Sequence, residues 1–260
     1  MSQRIALGIE YDGSLFHGWQ SQPQAATVQD ALEHALARIA EMPLRVHAAG
    51  RTDTGVHATG QVVHFDTPVN RPLSAWMRGV NAHLPSSVAV HWVREVAEPF
   101  HARFSAQARA YRYVLVNRTA RPALWAKRVG WFHLPLDIHA MQMAANYLLG
   151  EHNFSAFRAA ECQAKTPVKT IQRLTIQQIG EIFYIDIQAD AFLHHMVRNI
   201  VGCLVYVGKG KYPPAWMGAL LDSADRRLAA PTFAPDGLYL TQVHYAAEWN
   251  LPATAAWVGI

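Results

Sequence analysis

The feature that most constrains the fold of this chain is the order in which its hydrophobic periods alternate. Residues 4–11, RIALGIEY, alternate with period two and stop at Asp12-Gly13, which predicts a strand and a turn. In residues 27–40, TVQDALEHALARIA, apolar side chains recur at Val28, Ala31, Leu32, Ala35, Leu36 and Ile39. That is the spacing of one helix face, with Thr27 placed to cap it and Asp30 in its first turn. Strands are predicted at 44–50 and 61–67, a helix at 73–84 and a strand at 87–96. From residue 109 the order recurs: a strand at 109–117, a helix at 137–150, and strands at 170–180 and 181–189. A helix follows at 192–208, with Leu193, Met196, Val197, Ile200, Val201, Leu204 and Val205 on one stripe, and then a last strand at 237–245.

Two copies of β-α-β-β-α-β predict an α+β protein of two ferredoxin-like halves. The expected division is residues 1–106 and 107–260, with the antiparallel sheets forming one extended sheet and a central basic cleft suited to an extended ligand. The stretches 117–135 and 150–170 read as loops inserted in the second half, and loops of that length are often functional.

A chain of 260 residues, 51% hydrophobic and 16% charged, is globular rather than disordered. Its net charge of +4 is compatible with a polyanionic partner without requiring one. Cys162 and Cys203 are too few for a disulfide framework and suit a reducing cytoplasm. The N-terminal MSQRIALGIEYDG lacks the apolar core of a secretory signal, and no apolar run approaches bilayer length. The expectation is a cytoplasmic protein with no membrane contact.

The chemistry concentrates in residues 48–65, AAGRTDTGVHATGQVVHF. An isolated T-D-T-G usually makes no more than an Asx-turn. Here Asp53 has Gly50 and Gly55 on either side, which lets the backbone approach a ligand closely, and Arg51 two residues away. A lone carboxylate does not suit ordinary glycosidases, which need two. The sequence has no H-E-x-x-H or C-x-x-C to hold a metal, and no phosphate-binding glycine fingerprint for a nucleotide cofactor. On a helix, the adjacent His194 and His195 would point to different faces and ligate poorly. What remains is a reaction without cofactor or metal, in which one ionised Asp serves as nucleophile or base, kept ionised by a neighbouring arginine.

GRTDTGVHATGQVVHF resembles the signature loop of the TruA family of tRNA pseudouridine synthases. YDGSLFHGWQSQ (11–22), FHARFSA (100–106), RAYRY (109–113), ECQAK (161–165), FLHHMVRNIVG (192–202) and APDGLYL (234–240) also fall in that family's order. The resemblance implies isomerisation of uridine to pseudouridine on the 3′ side of the tRNA anticodon arm, by a homodimer whose partner subunit helps bind one tRNA. It implies Asp53 as catalytic nucleophile, Tyr111 as active-site tyrosine, Arg198 as the arginine paired with the catalytic carboxylate, and Arg51 as a base-flipping residue. Phe100, His101, Ala102, Arg103 and Phe104, and Glu161, Cys162, Gln163, Ala164 and Lys165, correspond to tRNA-contacting segments.

The residues themselves suit these roles. Extruding a stacked base costs about a few kcal/mol. A planar guanidinium such as Arg51 can fill the gap, and a ring such as Tyr111 can return about 1–3 kcal/mol by stacking. The Tyr111 phenol can also relay the proton released at C5. Asp53 could attack the sugar, attack the base or abstract a sugar proton; the sequence does not choose. Arg198 is expected midway along its helix, off the apolar stripe. Arg71, Arg78, Arg103, Arg112, Arg118, Arg121, Lys127, Arg128, Arg158, Lys165 and Lys169 could follow a phosphate backbone. Two other readings compete: an RNA-binding module without catalysis, which leaves Asp53 unexplained, and a small-molecule hydrolase, which needs a second acid or a metal.

Overall fold

The computed structural model describes residues 2–162 and 164–252. Its contacts divide the chain into two compact units, residues 1–107 with the stretch from Tyr239 onward, and residues 108–238. Each is an α+β unit with a largely antiparallel sheet. Among the described residues no helix is long and apolar enough to cross a membrane.

In the first unit β1 (Gln3–Tyr11) lies between β4 (Val88–Val96) and β3 (His57–Thr67), antiparallel to both. The other edge of β3 is shared. Its His64 and Val63 pair with the two-residue β2 (His47–Ala48), while His57 and Ala58 pair in parallel with Tyr239 and Leu240 of β10 (Leu238–Tyr245). Element order alone assigns that last strand to the second half; its pairing with β3 brings it into the first unit.

Helix α1 (Val28–Ala40) starts as its sequence predicts: the Thr27 hydroxyl accepts from the Asp30 amide at 3.2 Å and donates to the Asp30 carboxylate at 2.5 Å. It buries Val28, Leu32, Ala35 and Leu36 and packs on α2 (Leu73–His83). From α2 the fully buried Trp76 meets Phe65 edge-on at 5.2 Å.

The strand predicted at 44–50 shrinks to His47–Ala48 because side chains take over its ladder. The Val46 amide donates to Glu33 Oε1 at 3.0 Å, and Gly50 turns its amide and carbonyl to the Gln61 carboxamide. Strand β3 begins at His57, so Asp53 lies within one short turn of it.

In the second unit β5 (Ala106–Asn117), β9 (Ile182–Ala189), β8 (Val168–Ile179) and β7 (Gly150–Asn153) follow one another in antiparallel order. β6 (Gly130–Phe132) runs parallel to the end of β5. Both β6 and β7 fall in segments expected to be loops. They are too short to show a period.

Helix α3 (Ile138–Asn146), capped by Asp137, packs on β8 and on α4 (Met196–Gly208). The hydrophobic pattern does not predict the short helix α5 (Trp216–Ser223). Helix α4 starts at Met196, later than its apolar stripe predicts. The His194 carbonyl accepts from the Ala159 amide at 3.1 Å, its amide donates to Cys162 Sγ at 3.3 Å, and His195 sits at φ +61°. These bonds to the 159–162 segment compete with the helical ladder and hold residues 192–195 outside it.

Candidate active site and candidate nucleic-acid interface

Residues 49–56 in the first unit join β2 to β3, and rigid partners hold the backbone of this loop. The Gln61 side chain is fully buried; its Nε2 donates to the Gly50 carbonyl at 2.6 Å and its Oε1 accepts from the Val62 amide at 3.2 Å. The Thr52 hydroxyl shares a 2.8 Å hydrogen bond with the Tyr11 phenol, and the Thr52 carbonyl accepts from the Trp19 amide at 3.0 Å. Burial pushes the Tyr11 phenol up to about 12, against the opposing bonds from Thr52 and Gln61, so it stays a neutral hydroxyl. The Asp53 carbonyl accepts from the Val56 amide at 3.1 Å, closing a turn in which Gly55 takes φ +79°. On this scaffold the Asp53 side chain is half-buried and Arg51 is exposed.

The loop after β1 clamps this turn from outside. Gly18 has φ +84°, and a Cβ there would stand 2.8 Å from the Thr52 carbonyl oxygen and 3.2 Å from the Asp53 carbonyl carbon. At Gly13 a Cβ would meet the Val56 carbonyl oxygen at 1.9 Å. The Gly13 amide donates to His57 Nδ1 at 3.1 Å, and the His57 ring stacks on Tyr239 at 4.6 Å. The sequence marks the glycines; it does not show that the first loop lies directly against the Asp53 turn.

Residues 100–105, also in the first unit, separate into buried and exposed members. Phe100 and Ala102 are fully buried, with Phe100 against Tyr245 and Trp249 at 5.3 Å each. His101 and Ser105 are half-buried, and Arg103 and Phe104 are exposed. Phe104 is 76% exposed and the Arg103 guanidinium lies 5.6 Å from its ring centroid. Two imidazoles hold the loop: His64 Nδ1 accepts from the Ala102 amide at 3.1 Å, and His101 Nδ1 accepts from the Arg103 and Phe104 amides at 3.1 and 3.3 Å. Burial, reinforced by His101, His47 and Arg4, lowers His64 to about 4 and keeps it the neutral acceptor this bond needs. Arg4 donates to the Phe100 carbonyl at 2.9 Å while paired with Asp66 at 2.7 Å. Sequence reasoning misses these roles of His64 and Arg4, because an alternating strand gives no sign of what its polar residues reach.

Tyr111 and Arg198 belong to the second unit. Tyr111 lies on β5 opposite Ile187, 9% exposed, with its ring edge-on to Phe192 at 5.1 Å. Arg198 is in the first turn of α4, not midway along it, because residues 192–195 stay outside the helix. Its Nε donates to the Phe233 carbonyl at 2.9 Å, and the Phe233 amide donates back to the Arg198 carbonyl at 3.2 Å. The paired bonds fix the guanidinium's base. His194 and His195 are not on a helix, and their rings approach to 4.0 Å between centroids.

Of the 161–165 segment, Cys162 is buried, Glu161 and Lys165 are exposed, Ala164 is half-buried, and Gln163 lies outside the described residues. Burial works against ionisation of the Cys162 thiol, but the His194 and Ala164 amides and the Arg158 guanidinium outweigh it and bring its pKa below the usual thiol value.

The basic residues expected to track phosphate do not all face outward. Lys169 is buried, its ammonium held by the Thr166 and Val168 carbonyls at 2.9 and 2.6 Å. Arg112 is bidentate on Asp186, Arg71 pairs with Glu41, Arg118 with Glu181, and Arg158 donates to the Cys162 carbonyl. Arg71, although paired, is exposed, as are Arg78, Arg103, Arg121, Lys127, Arg128 and Lys165.

Comparison with known proteins adds an independent finding. Residues 8–105 and 144–246 match a family model described as tRNA pseudouridine synthase. The chain is 63% identical over 249 residues to the tRNA pseudouridine synthase A of Dechloromonas aromatica strain RCB, covering 96% of this chain and 95% of that one. It is 61% identical over 251 residues to the protein of the same name from Chromobacterium violaceum, and 59% identical over 251 residues to that from Methylobacillus flagellatus, covering 96% of both chains each time.

Proposed function

This chain belongs to the tRNA pseudouridine synthase family, and from that membership we propose that it isomerises uridine to pseudouridine on the 3′ side of the anticodon arm of tRNA. The observation that carries the proposal is the Asp53 turn. One half-buried carboxylate stands on a loop fixed by Gln61, Tyr11 and Trp19, the kind of preorganised support a reacting group needs.

The reaction breaks the N1–C1′ bond, turns the uracil and rejoins it to C1′ through C5. The proton on C5 is lost and N1 gains one, so atoms and electrons balance with no imported group. Asp53 supplies the carboxylate that attacks sugar or base or abstracts a sugar proton. Tyr111 stacks on the extruded base and relays the C5 proton; its ring stands nearly perpendicular to that of Phe192, 5.1 Å away, and keeps 9% of its surface exposed. Arg198 orients the carboxylate, and its anchored Nε suits that task. Arg51, exposed beside the turn, fills the gap left by the base. His101, Arg103 and Phe104, with Glu161 and Lys165, contact the RNA. The family resemblance also supports a homodimer working in the cytoplasm.

The test is incubation of the purified protein with unmodified tRNA transcript and mapping of pseudouridine. Conversion confined to the anticodon arm is expected. Asp53→Asn should abolish it while tRNA binding stays within a few-fold, and near-normal turnover in that variant would remove Asp53 from the chemistry.

A further inference from the structure

The end of α4 and the segment after it carry an arrangement of charge that the proposed reaction does not use. Lys209 Nζ lies 3.8 Å from the ring centroid of Tyr206, and Lys211 Nζ lies 4.8 Å from the same centroid. Lys211 also approaches Tyr212 at 5.4 Å, and Lys209 approaches Phe132 at 5.8 Å. Tyr212 stacks on Trp216 with centroids 4.2 Å apart and planes at 19°. Tyr206, Tyr212 and Trp216 are all partly exposed, as is Lys209, and Lys211 is exposed.

Among the described residues neither lysine enters an ion pair. Asp137, whose amide donates to the Gly208 carbonyl, turns its carboxylate to the amides of His139 and Ala140. An exposed cation on an aromatic face is held there only weakly. Two ammonium groups on one ring also repel, because they lie within the Debye length of about 10 Å at 0.1 M salt. An anion with charges spaced along a chain would offset that repulsion, and the stacked rings offer flat faces beside it. Lysine, a mobile point charge, binds phosphate without reading sequence.

Position within the fold adds to this. Helix α4 runs from the turn holding Arg198 to Gly208. At about 1.5 Å per residue the Gly208 end of the helix, next to Lys209, lies about 15 Å from Arg198, the span of about four to five phosphate steps of a duplex strand. An RNA strand of about five nucleotides or more is long enough to span the two ends of this helix.

We propose that Lys209 and Lys211, set on Tyr206, Tyr212 and Trp216, form a second RNA-docking surface that grips the phosphate backbone of the tRNA substrate away from the nucleotide being modified. The proposal rests on the tRNA-modifying reading above, and its test separates the two. Affinity of the full-length protein for unmodified tRNA transcript is measured as a function of KCl concentration. In K209Q/K211Q the slope of log K against log[KCl] should shallow by about two, one for each phosphate no longer neutralised, and affinity at low salt should fall about tenfold. K209R/K211R should keep the original slope, since charge is conserved. An unchanged slope in the glutamine pair overturns the proposal. So does an equal loss in the arginine pair, which would make the lysines merely structural, or a change in oligomeric state with the slope intact, which would make the surface a contact between copies. Pseudouridine formation by the unaltered protein reads the enzymatic proposal separately. Its absence sinks that reading, whereas normal conversion with an unmoved slope sinks only this one.

Discussion

Replacing Gly18 by alanine tests whether the first loop sets the position of the Asp53 turn. Gly18 has φ +84°, where an L side chain costs about 1–2 kcal/mol. The new Cβ would also stand 2.8 Å from the Thr52 carbonyl oxygen, so that stretch of backbone must retreat by about half an ångström to regain ordinary contact. The Thr52 carbonyl is the acceptor for the Trp19 amide, so the retreat also strains the bond that holds the turn. A misplacement of about 1 Å at a reacting group costs about a hundredfold in rate, and half of that predicts about a tenfold fall in kcat. The strain alone should lower Tm by about 2–8 °C in a chain of this size.

Gly180 supplies the comparison. It also has positive φ, +58°, but an added Cβ meets nothing within 4 Å, and it lies in the β8–β9 hairpin. Gly180→Ala should lower Tm by a similar amount and leave kcat alone. The measurements are single-turnover isomerisation of tRNA transcript at saturating enzyme and a calorimetric melt of each variant. If Gly18→Ala loses no more activity than Gly180→Ala, the clamp is not what positions Asp53.

Three further outcomes are expected. Tyr111→Phe should bind transcript normally yet lose most of its turnover, as measured by pseudouridine yield under saturating conditions; full activity would make the phenol a bystander. His64 is neutral down to about pH 4 when folded and titrates near 6.5 when unfolded. The unfolded chain therefore binds more protons between those values, and stability should fall as pH drops from about 6.5 to about 4. Melts across that range should show the decline, and His64→Gln should flatten it. Trp76→Ala removes a fully buried indole between α2 and the sheet and should cost about 3–5 kcal/mol in denaturant unfolding; a loss under about 1 kcal/mol would mean that the site collapses to fill the space.

The legible part of this molecule is what local physics decides. Period-two runs and a Thr27–Asp30 cap locate most strands and α1 because alternation and capping are properties of neighbouring residues. The G-R-T-D-T-G loop is legible because glycines with a single carboxylate form a local motif. The start of α4 is not, because its apolar stripe runs through Leu193 while bonds to Ala159 and Cys162, far earlier in the chain, hold residues 192–195 out of the helix. For the same reason Lys169 reads as a surface cation and is buried on two carbonyls, and Phe100 reads as part of a contact segment and is core.

By itself, then, the sequence determined the type and order of the longer elements and the glycine-rich loop that carries Asp53, since each depends on contacts within a few positions. Tertiary structure alone decided that β3 divides one edge between β2 and the distant β10, that Gly18 and Tyr11 brace the Asp53 turn, and that two imidazoles hold the loop carrying Phe104. Most of those contacts join residues far apart along the chain. Such closures follow from packing and from satisfying buried polar groups, and no short window of the chain records them.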